Sequence, residues 1–151
     1  MSPPSTRLMV NPAMNSNLVI HTDGGARGNP GPAAVGVVIR SDSGTLINQI
    51  AKKIGSSTNN HAEYQAVIEA LEWLVSQKLI INKIQFFLDS VLVVNQLNGK
   101  FKVKDSNLRN QLIQVRQLEG ALKTPIAYTA VPREQNAAAD RLVNQALDVI
   151  A

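Results

Sequence analysis

Three short extended runs open this chain before any helical pattern begins, and that order governs the fold available to it. Leu18 to Thr22 is a run with branched residues ended by Asp23-Gly24-Gly25, the pattern of a strand entering a glycine-rich turn. Ala33 to Arg40 and Thr45 to Ile54 follow, separated by Ser41-Asp-Ser-Gly44, a turn cluster suited to a hairpin. From Asn60 the period changes: Ala62, Ala66, Val67, Ala70, Leu71 and Leu74 fall at helical spacing, which predicts a helix ending near Gln77. Lys83 to Leu88 reads as a strand covered on both faces, Ser90 to Leu97 as a short helix closed by Asn98-Gly99, and Asp105 to Leu122 as a longer helix. Pro125 to Ala130 is the fifth strand, and Gln135 to Val149 a final helix with Ala138, Leu142, Ala146 and Val149 on one stripe. An opening meander followed by alternating helices and strands implies a mixed sheet with helices packed on it.

The 151 residues, 44% of them hydrophobic, suit one domain with a single core. Fifteen Lys and Arg stand against 11 Asp and Glu. That basic balance favours a nucleic acid over an acidic partner or a membrane. Cysteine is absent, which excludes disulfides and zinc-thiolate sites and is compatible with a reducing cytoplasm. No apolar run approaches the roughly 20 residues that span a bilayer. Residues 1 to 17 are rich in Pro, Ser and Asn, carry Arg7 as their one charge and show no signal-peptide pattern; they are expected to form a disordered tail before a domain over 18–151. Met14 stands four residues before the first strand, where a native start would make the preceding stretch an extension.

Against this basic background, four acids sit at four element ends: Asp23, Glu63, Asp89 and Asp140. Each has an ordinary explanation. Asp23 suits an Asx-type turn before two glycines, and Asn60-His-Ala-Glu63 fits a capping box with Asn60 as N-cap. Asp89 suits an N-cap for a helix starting at Ser90, and Asp140 a solvated helix charge. Their joint placement argues otherwise, because two end strands expected to be neighbours and two project from helices able to pack over those ends. Carboxylates meeting in a low-dielectric cleft repel unless cations neutralise them, and hard oxygen ligands suit Mg²⁺ or Mn²⁺. Two such ions roughly 4 Å apart assist phosphodiester hydrolysis by activating water and stabilising the leaving oxygen.

Around these acids lie candidate contacts to a nucleic acid. Gly24, Gly25, Ala26, Arg27, Gly28 and Asn29 supply backbone N–H groups and small side chains that allow close approach of a sugar-phosphate chain. Thr58, Asn59 and Asn60 stand at a helix N-terminus, which suits a phosphate and equally suits simple capping. Lys100, Lys102 and Lys104 alternate, so an extended stretch would point all three to one side as a basic ridge.

The chain resembles type 1 ribonuclease H, in the compact bacterial and archaeal branch. Thr22 to Gly31, Thr58 to Tyr64, Asp89-Ser90, and Arg133-Glu-Gln-Asn136 through Asp140 match that family's motifs in order and spacing over essentially Leu18 to Ala151. The resemblance implies an α/β, ribonuclease H-like fold: a five-stranded mixed sheet, an antiparallel three-strand meander then two parallel strands, with helices on both faces. It implies a monomeric, cytoplasmic endonuclease that cuts the RNA strand of RNA/DNA hybrids and leaves 5′-phosphate and 3′-hydroxyl ends. Asp23, Glu63, Asp89 and Asp140 would bind two Mg²⁺, with Mn²⁺ as substitute. Gly28, Asn29, Asn59 and Asn60 would contact RNA 2′-hydroxyls, and Thr58 with Asn59 a DNA phosphate.

Three features depart from the family pattern. Many members carry a histidine that assists product release in the loop before the last aspartate, where this chain has Arg133 and Glu134, an auxiliary pair expected to take over part of that role; its histidines are His21, expected in the core, and His61, expected exposed on the first helical turn. Val91 stands where many members place a glutamine that contacts the hybrid. The long basic handle of larger members is missing, and Trp73 falls in the first helix, where packing against the sheet accounts for it. A nuclease that also cleaves double-stranded RNA and a non-catalytic hybrid-binding module are the rival readings.

Overall fold

The computed structural model describes residues 16–149. Five strands form one sheet, β1 (Ser16–Ala26), β2 (Gly31–Ser41), β3 (Leu46–Ser57), β4 (Ile81–Leu88) and β5 (Ile126–Ala130), in the order β3-β2-β1-β4-β5. The first three pair antiparallel, and β4 and β5 join β1 in parallel. The helices are α1 (Asn59–Ser76), α2 (Val91–Leu97), α3 (Ser106–Leu122) and α4 (Ala137–Asp148), the last preceded by a 3₁₀ turn at Arg133–Asn136. This is the expected mixed sheet.

Strand β2 shows why both faces are covered. Its residues alternate, Val37 and Ile39 joining the large core with Tyr64, Leu71 and Phe86, while Ala34 and Val38 meet Val143, Ala139 and Leu142 of α4 on the opposite face. A strand buried on both sides has to be apolar throughout, and residues Ala33 to Ile39 are. Trp73 is half-buried against the main core, as expected.

Several boundaries differ from the sequence reading. Strand β1 does not stop before Asp23: its ladder with β2 continues through Gly24↔Val35, Gly25↔Ala34 and Ala26↔Ala33, so the turn proper spans the residues after Ala26. Ser16 and Asn17 belong to β1, which shortens the expected N-terminal tail; the rest of that tail lies outside the described residues. The final helix does not begin at Gln135, because a 3₁₀ turn occupies its expected start. His21 is half-buried, not a full core residue; it stacks on Phe87 with ring centroids 5.2 Å apart. His61 is also half-buried rather than exposed, and Gln111 Nε2 of α3 donates to its carbonyl at 3.1 Å.

Candidate active site

Two hydroxyls decide the meaning of two carboxylates. The N-cap of α1 is Thr58, whose Oγ1 accepts from His61 N–H at 3.2 Å, so Asn60 does not cap and the capping box expected with Glu63 does not form. The N-cap of α2 is Ser90, whose Oγ accepts from Val93 N–H at 3.2 Å, so Asp89 is not the cap either. Both changes follow from a small shift of the helix start, which places a hydroxyl at the cap and leaves the acid free of the capping role. Glu63 and Asp89 are thereby available to the cleft.

Glycines bring these acids together. A Cβ on Gly24 would lie 2.2 Å from Ala62 C and O and 2.5 Å from Glu63 N, so α1 rests directly on β1 at the residue after Asp23. A Cβ on Gly36 would lie 2.2 Å from Ala139 O, so α4 rests on β2 one residue before Asp140. Buried Asn136 fixes the approach to α4, its Nδ2 donating to Thr22 O at 2.9 Å. These contacts deliver Glu63 and Asp140 beside the strand that carries Asp23.

Asp23, Glu63 and Asp89 place a carboxylate oxygen each within 4.8 Å of one another, and Asp140 lines the same cleft of about 540 Å³. Asp140 is close enough to Asp23 to repel it by charge and to share a hydrogen bond with it. Burial, then the charges of Asp89 and Asp140, push the Asp23 carboxyl up to about 7. Burial and the charges of Asp23 and Asp89 raise Glu63 well above the ordinary range, opposed by the Gly24 N–H and by Arg133. Glu63 Oε1 is buried with no hydrogen-bond partner. Such an oxygen, among mutually repelling carboxylates, is chemically suited to a hard divalent cation.

The remaining candidates divide. Gly24, Asn59 and Asn60 line the cleft, as do Arg133 and Ser90. Asn29 is committed to the scaffold, its Oδ1 accepting from Asn59 N–H at 3.0 Å, while Asn59 Oδ1 accepts from Ala26 N–H at 2.9 Å. This reciprocal pair clamps the turn, including Gly28 at φ 90°, to the start of α1. Arg133 and Glu134 are both exposed, and only Arg133 lines the cleft. Lys100, Lys102 and Lys104 are exposed and apart from the cleft; Lys102 and Lys104 flank buried Val103. Val91 is 61% exposed at the first turn of α2. Sequence reading did not single out Gly36, Asn136 as an anchor, or Asn144, although Asn144 follows Asp140 by one helical turn and lines the cleft.

Residues 21–146 match the model of a family described as reverse transcriptase-like. Ribonuclease HI of Halobacterium salinarum is 39% identical over 147 residues, covering 97% of this chain and 72% of the relative. The chain belongs to the ribonuclease H family. A bifunctional protein of Mycobacterium tuberculosis is 42% identical over 135 residues; they make up 89% of this chain and 36% of that protein's length, so the ribonuclease H domain spans about a third of this relative. LC11-RNase H1, isolated from compost and solved in complex with an RNA/DNA hybrid, superposes with a TM-score of 0.83 at 41% identity, covering 87% of this chain and 96% of that one. Ribonuclease H relatives thus come from archaeal and bacterial sources, and their shared fold is the five-stranded sheet described above.

Proposed function

We propose that this ribonuclease H domain cleaves the RNA strand of RNA/DNA hybrids endonucleolytically, acting as a monomer in the cytoplasm and leaving 5′-phosphate and 3′-hydroxyl ends. The observation that carries the reading is the convergence of Asp23, Glu63, Asp89 and Asp140 from four different elements on one cleft, with neighbouring hydroxyls relieving two of them of capping. A relative at 41% identity has been solved with such a hybrid bound, which supports the substrate class.

The four carboxylates would hold two Mg²⁺, or Mn²⁺ in their place. Divalent cations there would supply Lewis acidity toward the phosphate and lower the pKa of an attacking water. The protein's own part is positional and electrostatic. Asp23 and Glu63 are buried side by side, and the Gly24 N–H favours the charged form of each. The N–H groups of Ala26, Arg27, Asn59 and His61 are engaged within the protein, so the turn after Ala26, clamped by Asn29 and Asn59, would serve the nucleic acid by its small residues and fixed shape beside the start of α1. Contacts of this kind grip sugar and phosphate rather than base edges, so cleavage is expected to be largely independent of sequence.

Asp89→Asn tests the reading. Because Ser90 caps α2 and the Asp89 charge repels Asp23 and Glu63, the variant is expected to melt no lower than wild type while losing more than about 100-fold in activity, beyond the usual cost of disturbing a ligand's supporting partner. Labelled hybrid, double-stranded RNA and double-stranded DNA, each with Mg²⁺ or Mn²⁺, define the substrate range. Turnover near wild type in a folded Asp89→Asn protein would overturn the four-carboxylate mechanism, and hybrid binding without metal-dependent cleavage in the wild type would favour a binding module.

A further inference from the structure

A single guanidinium ties the glycine-rich turn to the last helix. Arg27 Nη2 lies 2.7 Å from Asp148 Oδ1 and 3.3 Å from Asn144 Oδ1. The amide of Asn144 directs Nδ2 the other way, donating to Asp140 O at 3.1 Å and meeting Asp140 Oδ2 at 3.4 Å. Arg27, Asn144 and Asp140 all line the acidic cleft.

An asparagine amide is directional, with an acceptor at one end and two donors at the other. A guanidinium only donates and a carboxylate only accepts. Arg27 can therefore bond Asn144 only at Oδ1, and this commits Nδ2 to Asp140. Rotating the amide by half a turn would set N–H against guanidinium N–H and oxygen against carboxylate oxygen, so both ends of the string oppose it. The orientation matters because the torsion of an aspartate carboxyl is broad and roughly two-fold. A donor on Oδ2 selects one setting of Asp140.

We propose that Asn144 is a positioning residue for Asp140, oriented in turn by Arg27, so that the turn facing the nucleic acid and the carboxylate on α4 are set by one hydrogen-bonded string. The proposal rests on Asp140 being a metal ligand, and it assigns Arg27 an effect opposite in sign to that of its charge. As a bare cation beside the cleft, Arg27 repels a divalent ion, and its removal would tighten metal binding. As the residue that orients Asn144, its removal loosens Asp140 and weakens metal binding.

Mn²⁺ affinity of the nucleic-acid-free protein, measured by electron paramagnetic resonance, separates these. Asn144→Ala is expected to weaken Mn²⁺ binding about 10-fold, the scale typical of losing a ligand's hydrogen-bond partner. Arg27→Met should weaken it in the same direction by a smaller factor, and the double variant should be no weaker than Asn144→Ala alone, because Arg27 acts through Asn144. Arg27→Lys keeps a donor-only cation and should recover most of the loss. Melting midpoints confirm folding, and Asp140→Asn serves as the reference for losing the ligand itself. Tighter or unchanged Mn²⁺ binding in Arg27→Met, or additive losses in the double variant, would overturn the string while leaving the four-carboxylate reading intact if Asp140→Asn weakens binding. Unchanged affinity in Asp140→Asn would overturn both.

Discussion

Asp23 stands directly opposite Gly36 in the β1–β2 ladder. The strand residue that carries a buried carboxylate is thus paired with the position on which α4 rests, through Ala139 O and Leu142 Cβ. An added methyl at residue 36 has backbone in its way and can be accommodated only by moving α4. Gly36→Ala is expected to cost about 1–3 kcal/mol of stability, as overpacking does, and to reduce activity further by displacing Asp140. Gly120→Ala is the contrasting case, since open space surrounds Gly120 in α3 and alanine favours a helix by roughly 0.5–1 kcal/mol. Thermal melting and hybrid cleavage on both variants check the contrast. Retention of wild-type stability and activity by Gly36→Ala would show that α4 is free to shift.

The raised pKa of Asp23 has a definite sign in stability. Its folded value of about 7 lies above the ordinary 3.8, so its contribution is intact below the ordinary value and is lost as pH rises through about 7. Glu63 shifts in the same direction. Without metal the protein is therefore expected to lose stability between roughly pH 4 and pH 7, and Asp23→Asn to be more stable than wild type at roughly pH 8. Protons and divalent cations compete for these carboxylates, so Mg²⁺ should raise the melting midpoint far more at roughly pH 8 than at roughly pH 5. Equal Mg²⁺ stabilisation at both values would count against these acids as ligands.

Arg133 and Glu134 share a loop but do not share a place. Only Arg133 lines the cleft, where its charge opposes the rise in the Glu63 pKa. Arg133→Gln is expected to raise that pKa further and move the ascending limb of the pH–rate profile to higher pH. Glu134→Ala should leave the limb where it is. Comparing single-turnover with steady-state rates tests the loop's part in product release: a loss confined to steady state assigns release to Arg133, and equal losses assign it to the cleavage step.

The strand and helix order is legible because each pattern is local: branched runs closed by turn clusters, then apolar residues at helical spacing. The four acids are legible for a different reason, since each sits in a distinctive short motif. Capping at Asn60 and at Asp89 is not, because Thr58 and Ser90 offer hydroxyls that compete for the same role and only the helix start decides between them. The continuation of β1 past Asp23 is hidden by Gly24 and Gly25, whose composition signals a turn while their partners on β2 hold them in the ladder. Arg27 and Asn144 are 117 residues apart, and nothing local to either marks the other. Pairings of that kind come from the packing of α4 on β2, not from periodicity.

Under the proposed function, the means of gripping a long hybrid without a basic handle is tested at Lys100, Lys102 and Lys104. All three are exposed; Val103 is buried between Lys102 and Lys104, whereas Lys100 lies in the bend that closes α2, its N–H donating to Asn95 O at 2.9 Å, so the expected alternation covers residues 102–104 and not Lys100. Among the described residues, none of the three ammonium groups is paired with a carboxylate. Phe101, 51% exposed, lies among them and gives the ridge an apolar element. The lysines stand outside the acidic cleft, so they would act on phosphates away from the scissile bond, raising affinity rather than the rate of cleavage. Removing one lysine–phosphate interaction should flatten the dependence of log affinity on log salt by roughly 0.7 to 0.9. Hybrid binding in Ca²⁺, chosen to support binding without turnover, should therefore show a slope shallower by about two units when the three lysines are changed together to Gln. The single-turnover rate at saturating hybrid should stay at the wild-type value. An unchanged slope would make these lysines ordinary solvated surface and leave the clamped turn and the N-terminus of α1 as the grip.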